Sequence, residues 1–379
     1  MLSIKIFYHT YIFLSTTYRF PIYKFKNYVI IIYVKLYSFE KENQKSMEKR
    51  YFGTLPTGEE VYVYTLRSDV ASVDIMTRGA TIVKFVAYGT DIVGGFDKLE
   101  TYLIDDSHQG ASIGRVANRV GGAKFTMDGK SYTLPNNDNG NCLHGGDGFD
   151  HRVWTVTDYT DNAITLTYDS YDGEEGFPSA LKVSVTYELS GASLLIFHKA
   201  IPEGKTPIAL TNHAYFNLDG FGGTIEEHTA VIYAKNYTEV DGDLIPNGNR
   251  PSVYGTPFDF TTPHTIGERC GEDFIGYDHN FILSPEKTEN LFGRELGLIA
   301  DVKGKKLGMK VYTDQPGVQF YIGNFLGSGP DFKGGVKQVF HGAFCLETQT
   351  EPNCINNGIG FYDKGDVYTH SAVYAVEEL

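Results

Sequence analysis

His213 is the group in this sequence best placed to move a proton. It lies in Thr211-Asn212-His213-Ala214-Tyr215-Phe216-Asn217-Leu218, a stretch that combines polar groups, one imidazole and two aromatics. Imidazole titrates near neutral pH, so it suits a proton donor or acceptor. A lone histidine is more often a core residue with both ring nitrogens satisfied. Its neighbours argue otherwise, because Asn212 and Asn217 have no apolar job and polar groups at the end of a core strand need a reason. A second group, Phe344-Cys345-Leu346-Glu347-Thr348-Gln349, ends an apolar run in a carboxylate. Partial burial would raise the pKa of Glu347 and suit it to act as a base; a paired structural acid is an equally good reading.

Three further loops carry candidate chemistry. Asn141-Cys142-Leu143-His144-Gly145-Gly146-Asp147-Gly148-Phe149-Asp150-His151 holds two histidines and two aspartates. Their spacing matches no common zinc pattern, and mixed His/Asp loops are usually solvated, so no metal is expected. His144 is expected instead to be a hydrogen-bonding partner in a polar pocket. Gly114-Arg115-Val116-Ala117-Asn118-Arg119-Val120-Gly121-Gly122 brackets Asn118 with two arginines. Surface charge is the plain reading, but glycines on both sides allow close backbone approach and favour a binding loop. It is not a phosphate loop, since Lys130-Ser131 lacks the glycine required at position 124, which is Lys. Asp172-Gly173-Glu174-Glu175-Gly176-Phe177-Pro178 reads as a solvated acidic turn, and Asp278-His279-Asn280-Phe281 as a weak polar cluster before a strand.

The elements that must position these groups are strands. Glu60 to Leu66, Ser72 to Met76, Ala80 to Val86, Ala163 to Tyr168, Lys182 to Leu189, Met309 to Tyr312, Gln319 to Ile322 and Val367 to Val376 all suit strands, several alternating with period two. Lys124 to Met127 and Lys130 to Leu134 flank Asp128-Gly129, a strong hairpin signal. Pro207 to Leu210 would bury the start of a strand that brings His213 to the surface. No stretch sustains helical periodicity; short helical turns are expected near Leu99 to Leu103 or Asn290 to Leu296. The expected fold is all-β, a large antiparallel β-sandwich with few short helices.

Charge and cysteine use narrow the function further. The net charge of -14 argues against a general nucleic-acid binder. Four scattered cysteines without a CxxC argue against a disulfide framework and for a reducing, cytoplasmic location. Residues 1–46 differ from the rest: they carry a balance of +5, leaving -19 on the remainder, and contain no Gly or Ala. Their apolar runs fall short of the ~20 residues a membrane helix needs. Met47 opens a plausible natural start. The expected organisation is a non-structural extension, 1–46, and one domain, 47–379, active and soluble without the extension.

Taken together, the loops and strands resemble the aldose 1-epimerases, or galactose mutarotases, from about Tyr51 to the C-terminus. The resemblance rests on Gly114 to Arg119, Leu143 to Gly146, Asp172 to Pro178, Thr211 to Leu218, Thr256 to Asp259, Asp278 to Phe281, Pro316 to Tyr321 and Leu346 to Gln349, in the family's order. It implies a mutarotase-like supersandwich with an open sugar cleft and interconversion of the α and β anomers of free aldohexoses such as galactose and glucose, feeding hexose metabolism. It implies Glu347 as base at the C1 hydroxyl, His213 as acid at the ring oxygen and His144 as an assisting group. Asn118, Arg119, Asp278 and Gln319 would bind hydroxyls. No cofactor, nucleic acid or membrane is implied, and a monomer or weak homodimer is expected. The rival expectations are a hexose-6-phosphate 1-epimerase and a non-catalytic sugar-binding or sensing protein on the same fold.

Overall fold

Strand alternation decides how this chain packs. In Leu181–Ser190 every second side chain is buried and the rest reach water, which is the pattern of a sheet with one face on a core. The computed structural model describes residues 48–379, and the expectations for 1–46 lie outside the described residues. A ten-stranded antiparallel sheet forms the main layer. Its order runs Thr155–Tyr159, Ala163–Ser170, Leu181–Ser190, Ser193–Pro202, Tyr368–Glu378, Leu307–Thr313, Arg294–Lys303, Thr229–Ile232 and His264–Thr265, with Thr288–Leu291 also pairing on Arg294–Lys303. A five-stranded sheet covers Glu48 to Asp91, and a four-stranded sheet joins Ala234–Tyr237, Asp278–Leu283, Gly317–Tyr321 and Cys345–Gln349. One continuous apolar core is shared by all three: Val73 and Phe85, Val185 and Val311, and Phe320 and Leu346 belong to it. Each such fully buried side chain contributes roughly 1.5–3 kcal/mol of transfer free energy.

The expected all-β class holds, with a short helix at Leu99–Ile104. The hairpin at Asp128-Gly129 forms as read, both residues having positive φ (52° and 78°). The helical turn expected at Asn290 to Leu296 does not form. Thr288–Leu291 and Arg294–Lys303 make a hairpin there instead, turned at Phe292-Gly293, again with both φ positive. Leu291, Phe292 and Leu296 pack with Leu195 and Tyr312 on the outer face of the large sheet, so tertiary packing overrode the weak local pattern. The expected strand into His213 is broken. Thr206–Pro207 pairs with Phe361–Tyr362, and Thr211–Asn212 pairs separately with Ser112–Ile113.

Both faces of Gly317–Tyr321 and Cys345–Gln349 are buried. Val318, Phe320 and Leu346 face the core. The opposite face is polar, with Gln319 paired directly to Glu347 on one side and to Asn280 on the other. A carboxylate is thereby held on a rigid ladder at the edge of the core.

Candidate active site

A cavity of about 500 Å³ opens where the four-stranded sheet meets the loops before and after Gly114. It is lined by Glu347, Asp278 and Tyr321 from the sheet and by His108, Asn118, Arg119, His144, His213 and Tyr215 from loops. The residues predicted from distant parts of the sequence are therefore brought together. Gln319 is the exception: it stands behind Asp278, its Nε2 donating to Asp278 Oδ1 at 2.7 Å.

His213 follows directly on the short strand Thr211–Asn212. Its ring stacks on Tyr215, with centroids 5.0 Å apart and planes 21° apart. Its Nε2 lies 3.6 Å from Glu347 Oε1, and its Nδ1 lies 3.7 Å from Cys345 Sγ. Burial and the nearby charge of His108 push its pKa down to about 3. Glu347 is 2% exposed, and its Oε2 has no hydrogen-bond partner among the described residues. Burial and the Asp278 carboxylate hold its pKa well above the usual range, against the opposing pull of Arg119. Both directions say the same thing: burial favours the neutral form of each group, carboxylic acid for Glu347 and imidazole for His213.

Asn118 and His144 fix each other. The Asn118 N–H donates to His144 Nδ1 at 3.2 Å, and the His144 N–H donates to the Asn118 carbonyl at 3.1 Å. Both residues have positive φ, 60° and 53°, a conformation of limited cost for these two side chains. Asn118 Oδ1 accepts the Arg119 N–H at 2.8 Å. The Arg119 guanidinium donates through Nε to Asp138 Oδ2 at 2.6 Å, and its Nη1 lies 4.0 Å from Asp278 Oδ2. Burial raises the pKa of Asp278.

His144, His213 and Glu347 each bring one donor atom within 4.8 Å of the others, the one such group found among the described residues. A cation would need a lone pair from every ligand. His144 Nδ1 is engaged with the Asn118 N–H, so neutral His144 carries its hydrogen on Nε2 and has no second lone pair to give. The trio suits proton movement better than metal binding.

Several loop readings are corrected by the structure. The acidic turn is solvated only in part: Asp172 is exposed, but Glu174 is 3% exposed and accepts from Tyr168 Oη at 2.5 Å, Arg152 Nε at 2.9 Å and Ser170. Arg115 is not a surface charge. It is 2% exposed and donates to the Pro178, Ser179 and Tyr171 carbonyls and to Thr206 and Ser170 hydroxyls. Asn212 and Asn217 serve the backbone, donating to the carbonyls of Gly110 and of Gly342. Asp150 is buried, with its Oδ2 2.8 Å from His108 Nδ1. His108 itself carried no sequence motif. The only signal was a histidine in the polar run Asp105-Asp106-Ser107-His108 just upstream of the Gly114 loop.

A buried acid facing an imidazole in a sugar-sized polar cavity, held by loops on a large β-sandwich, marks an enzyme that moves protons on a small hydroxylated molecule. A family model described as aldose 1-epimerase matches residues 62–375. Galactose mutarotase from Bos taurus is 42% identical over 320 residues, 82% of this chain and 92% of that one. Aldose 1-epimerase from Escherichia coli (strain K12) is 34% identical over 315 residues, 80% and 90% of the two chains. The crystal structure of galactose 1-epimerase from Lactobacillus acidophilus superposes with a TM-score of 0.77 at 25% identity, over 88% of this chain and 99% of that one. The chain belongs to the aldose 1-epimerase family, and it is an isomerase.

Proposed function

We propose that this isomerase interconverts the α and β anomers of free, neutral aldohexoses such as galactose and glucose, with Glu347 and His213 as its proton-transfer pair. The observation that carries the reading is the 3.6 Å approach of His213 Nε2 to a buried Glu347 at the cavity wall. Ring opening needs a base at the C1 hydroxyl and an acid at the ring oxygen. Glu347 as carboxylate takes the C1 proton, His213 as imidazolium gives one to O5, and the C1–O5 bond breaks. The aldehyde rotates, and closure reverses both transfers on the other face. The pair thus passes from carboxylate plus imidazolium to carboxylic acid plus imidazole, with one proton in total throughout. Burial favours the second arrangement in the empty site. A bound sugar supplies hydroxyls to Glu347 Oε2 and so supports the first. His144 orients the sugar through its Nε2–H. Arg119, Asn118 and Asp278 hold hydroxyls, and Gln319 positions Asp278.

The charge of the cavity supports neutral substrates over sugar phosphates. Asp105, Asp106, Asp138, Asp243 and Asp278 line it, against Arg119 as its one arginine or lysine among the described residues. Arg119 is already paired to Asp138. Arg115 and Arg152, the other candidates for a phosphate, are committed to structural partners away from it. A phosphate dianion needs several cations or a cluster of N–H groups. Polarimetry of freshly dissolved α-D-galactose and α-D-glucose tests the activity. The same assay on the 6-phosphates should give kcat/KM lower by at least about tenfold, the equivalent of one 1.4 kcal/mol repulsion. A preference for either phosphate would replace this reading with a sugar-phosphate epimerase. Tight sugar binding without any acceleration would replace it with a binding protein.

A further inference from the structure

The cavity contains a third histidine, and it is wired differently from the other two. His108, His144 and His213 are packed ring against ring. His108 and His144 meet edge to face with centroids 4.6 Å apart, His144 and His213 at 5.2 Å, and His108 and His213 at 6.0 Å. His108 alone of the three has a hydrogen-bonded carboxylate: its Nδ1 lies 2.8 Å from Asp150 Oδ2. Asp150 sits in the turn Phe149–His151, which is anchored by the Phe149 N–H donating to the Gly114 carbonyl and by Trp154 Nε1 donating to the Phe149 carbonyl. The His108 loop is tied to the reacting histidine through backbone alone. The Gly110 N–H donates to the His213 carbonyl, and the His213 N–H donates to the Ala111 carbonyl, both at 2.9 Å. The ring of His108 is thereby held in register with that of His213.

We propose that the Asp150–His108 pair is the charge centre of this three-histidine cluster, and that His108 is a positioning residue whose imidazolium determines where the protons of His144 and His213 reside. The assignment of catalytic roles rests on the function proposed above; the cluster itself does not. Three imidazoles packed this closely cannot all be charged, since like charges at these separations repel strongly. The cation settles on the ring with a buried counter-ion. The titratable and charged groups facing His108 are Asp150 and His151 on the turn, Asp105 and Asp106 on its own loop, and His144 and His213 across the cavity, with Arg78 behind Asp150. Burial opposes charge on His108, but the Asp150 hydrogen bond and the surrounding carboxylates outweigh it and its pKa is raised. Burial and the His108 charge lower the pKa values of both His144 and His213. The consequence for the reaction is that His213 is kept a weak base, which returns its proton readily to the ring oxygen.

His108→Gln tests this, because the Gln amide can still donate to Asp150 while the charge is gone. Removing a positive neighbour favours the protonated form of every nearby group. In the folded variant the ring nitrogens of His144 and His213, followed by ¹⁵N NMR, should titrate about one to two units higher than in the unmodified protein. The pH profile of kcat/KM should move up in the same direction. In the unmodified protein at pH 7, one of the three rings, His108, should show the imidazolium signature, and Asp150→Asn should abolish it. A pH profile unmoved in folded His108→Gln, with only a uniform drop in rate, would reduce His108 to a packing residue and overturn the proposal. So would a neutral His108 at pH 7, or one still charged in Asp150→Asn. Should His108→Gln fail to fold, the titration of the unmodified protein and Asp150→Asn decides. A protein that turns over no aldose yet shows the charged His108 and neutral partners would overturn the proposed function while leaving the cluster standing.

Discussion

The two walls of the cavity are built on different principles. Glu347 and Asp278 stand on strands, in a ladder where Asp278 faces Tyr321 and Gln319 faces Glu347. His108, Asn118 and His144 stand on loops, all three at positive φ. The carboxylate wall is held by main-chain pairing that any residue of suitable size could join. The imidazole wall is held by unusual backbone conformations, reciprocal hydrogen bonds such as that of Asn118 with His144, and glycines that let loops touch. The ladder fixes position, and the loops fix orientation and tautomer.

The largest expected effect removes the chemistry from either wall. Glu347→Gln and His213→Asn each keep polarity and approximate size, and each should lower kcat/KM by ~10²–10⁴ with the fold retained by circular dichroism. If only one of the two matters, the proton pair is not shared across the walls and the mechanism must be rewritten.

Histidines on strands provide the next contrast. His198 and His370 face each other in the large sheet, and neither forms an ion pair with a carboxylate among the described residues. His370 Nε2 meets Thr348 Oγ1 at 2.7 Å, next to Glu347 in sequence. Burial lowers the His198 pKa well below its ordinary value and takes that of His370 down to about 4. A depressed folded-state pKa means stability that is present above about pH 6.5 and lost as pH falls toward 4. Urea midpoints at pH 7 and pH 4.5 measure it. His370→Gln should flatten the dependence, and an unchanged slope would deny these residues the role.

The two walls should also differ in tolerance to a single added methyl group. At Gly145, φ is 81° and a Cβ would fall 2.6 Å from the Gly114 carbonyl oxygen and 2.8 Å from the Arg115 nitrogen. Backbone cannot step aside, so Gly145→Ala should cost about 1–3 kcal/mol and displace His144. On the ladder, a Cβ at Gly317 meets first the end of the Asn280 side chain, at 2.5 Å. The nearest obstacle is the end of a side chain, with the Gln349 carbonyl oxygen farther off at 3.1 Å, so Gly317→Ala should cost less than Gly145→Ala. Equal losses in the two variants would erase the distinction between the walls.

The same division explains what was legible in the sequence. The strands that carry Glu347 and Asp278 were legible only in part: an apolar run ended at Glu347, and Asp278 read as a polar cluster ahead of a strand rather than on one. Among the groups on loops, His213 and His144 stood out by their polar neighbours, but their roles and those of Asn118 and Arg119 came only with the ordered motifs of a family resemblance. Where no motif existed, as at His108, nothing local reported that Asp150, 42 residues away, would supply a carboxylate. Arg115 and Glu174 were misread for a related reason. Charged residues in Gly-rich loops usually face water, and their burial here depends on carbonyls and hydroxyls from three separate segments and on the Arg152 guanidinium. The missed hairpin at Phe292-Gly293 arose from tertiary packing on a patch of the large sheet that no window of sequence contains.

The place of the last strand bears on how a newly made chain becomes an enzyme. Tyr368–Glu378 is the final element, yet it lies in the interior of the ten-stranded sheet, between Ser193–Pro202 and Leu307–Thr313. Until it has been made, both of those neighbours present open edges, and the core lacks Tyr368, Ala372, Tyr374 and Val376. Unpaired edges of this kind invite contact between nascent chains. Closure of the sheet must therefore wait until Tyr368–Glu378 has been synthesised. A chain cut just before Tyr368 should yield insoluble product rather than a slightly weakened enzyme.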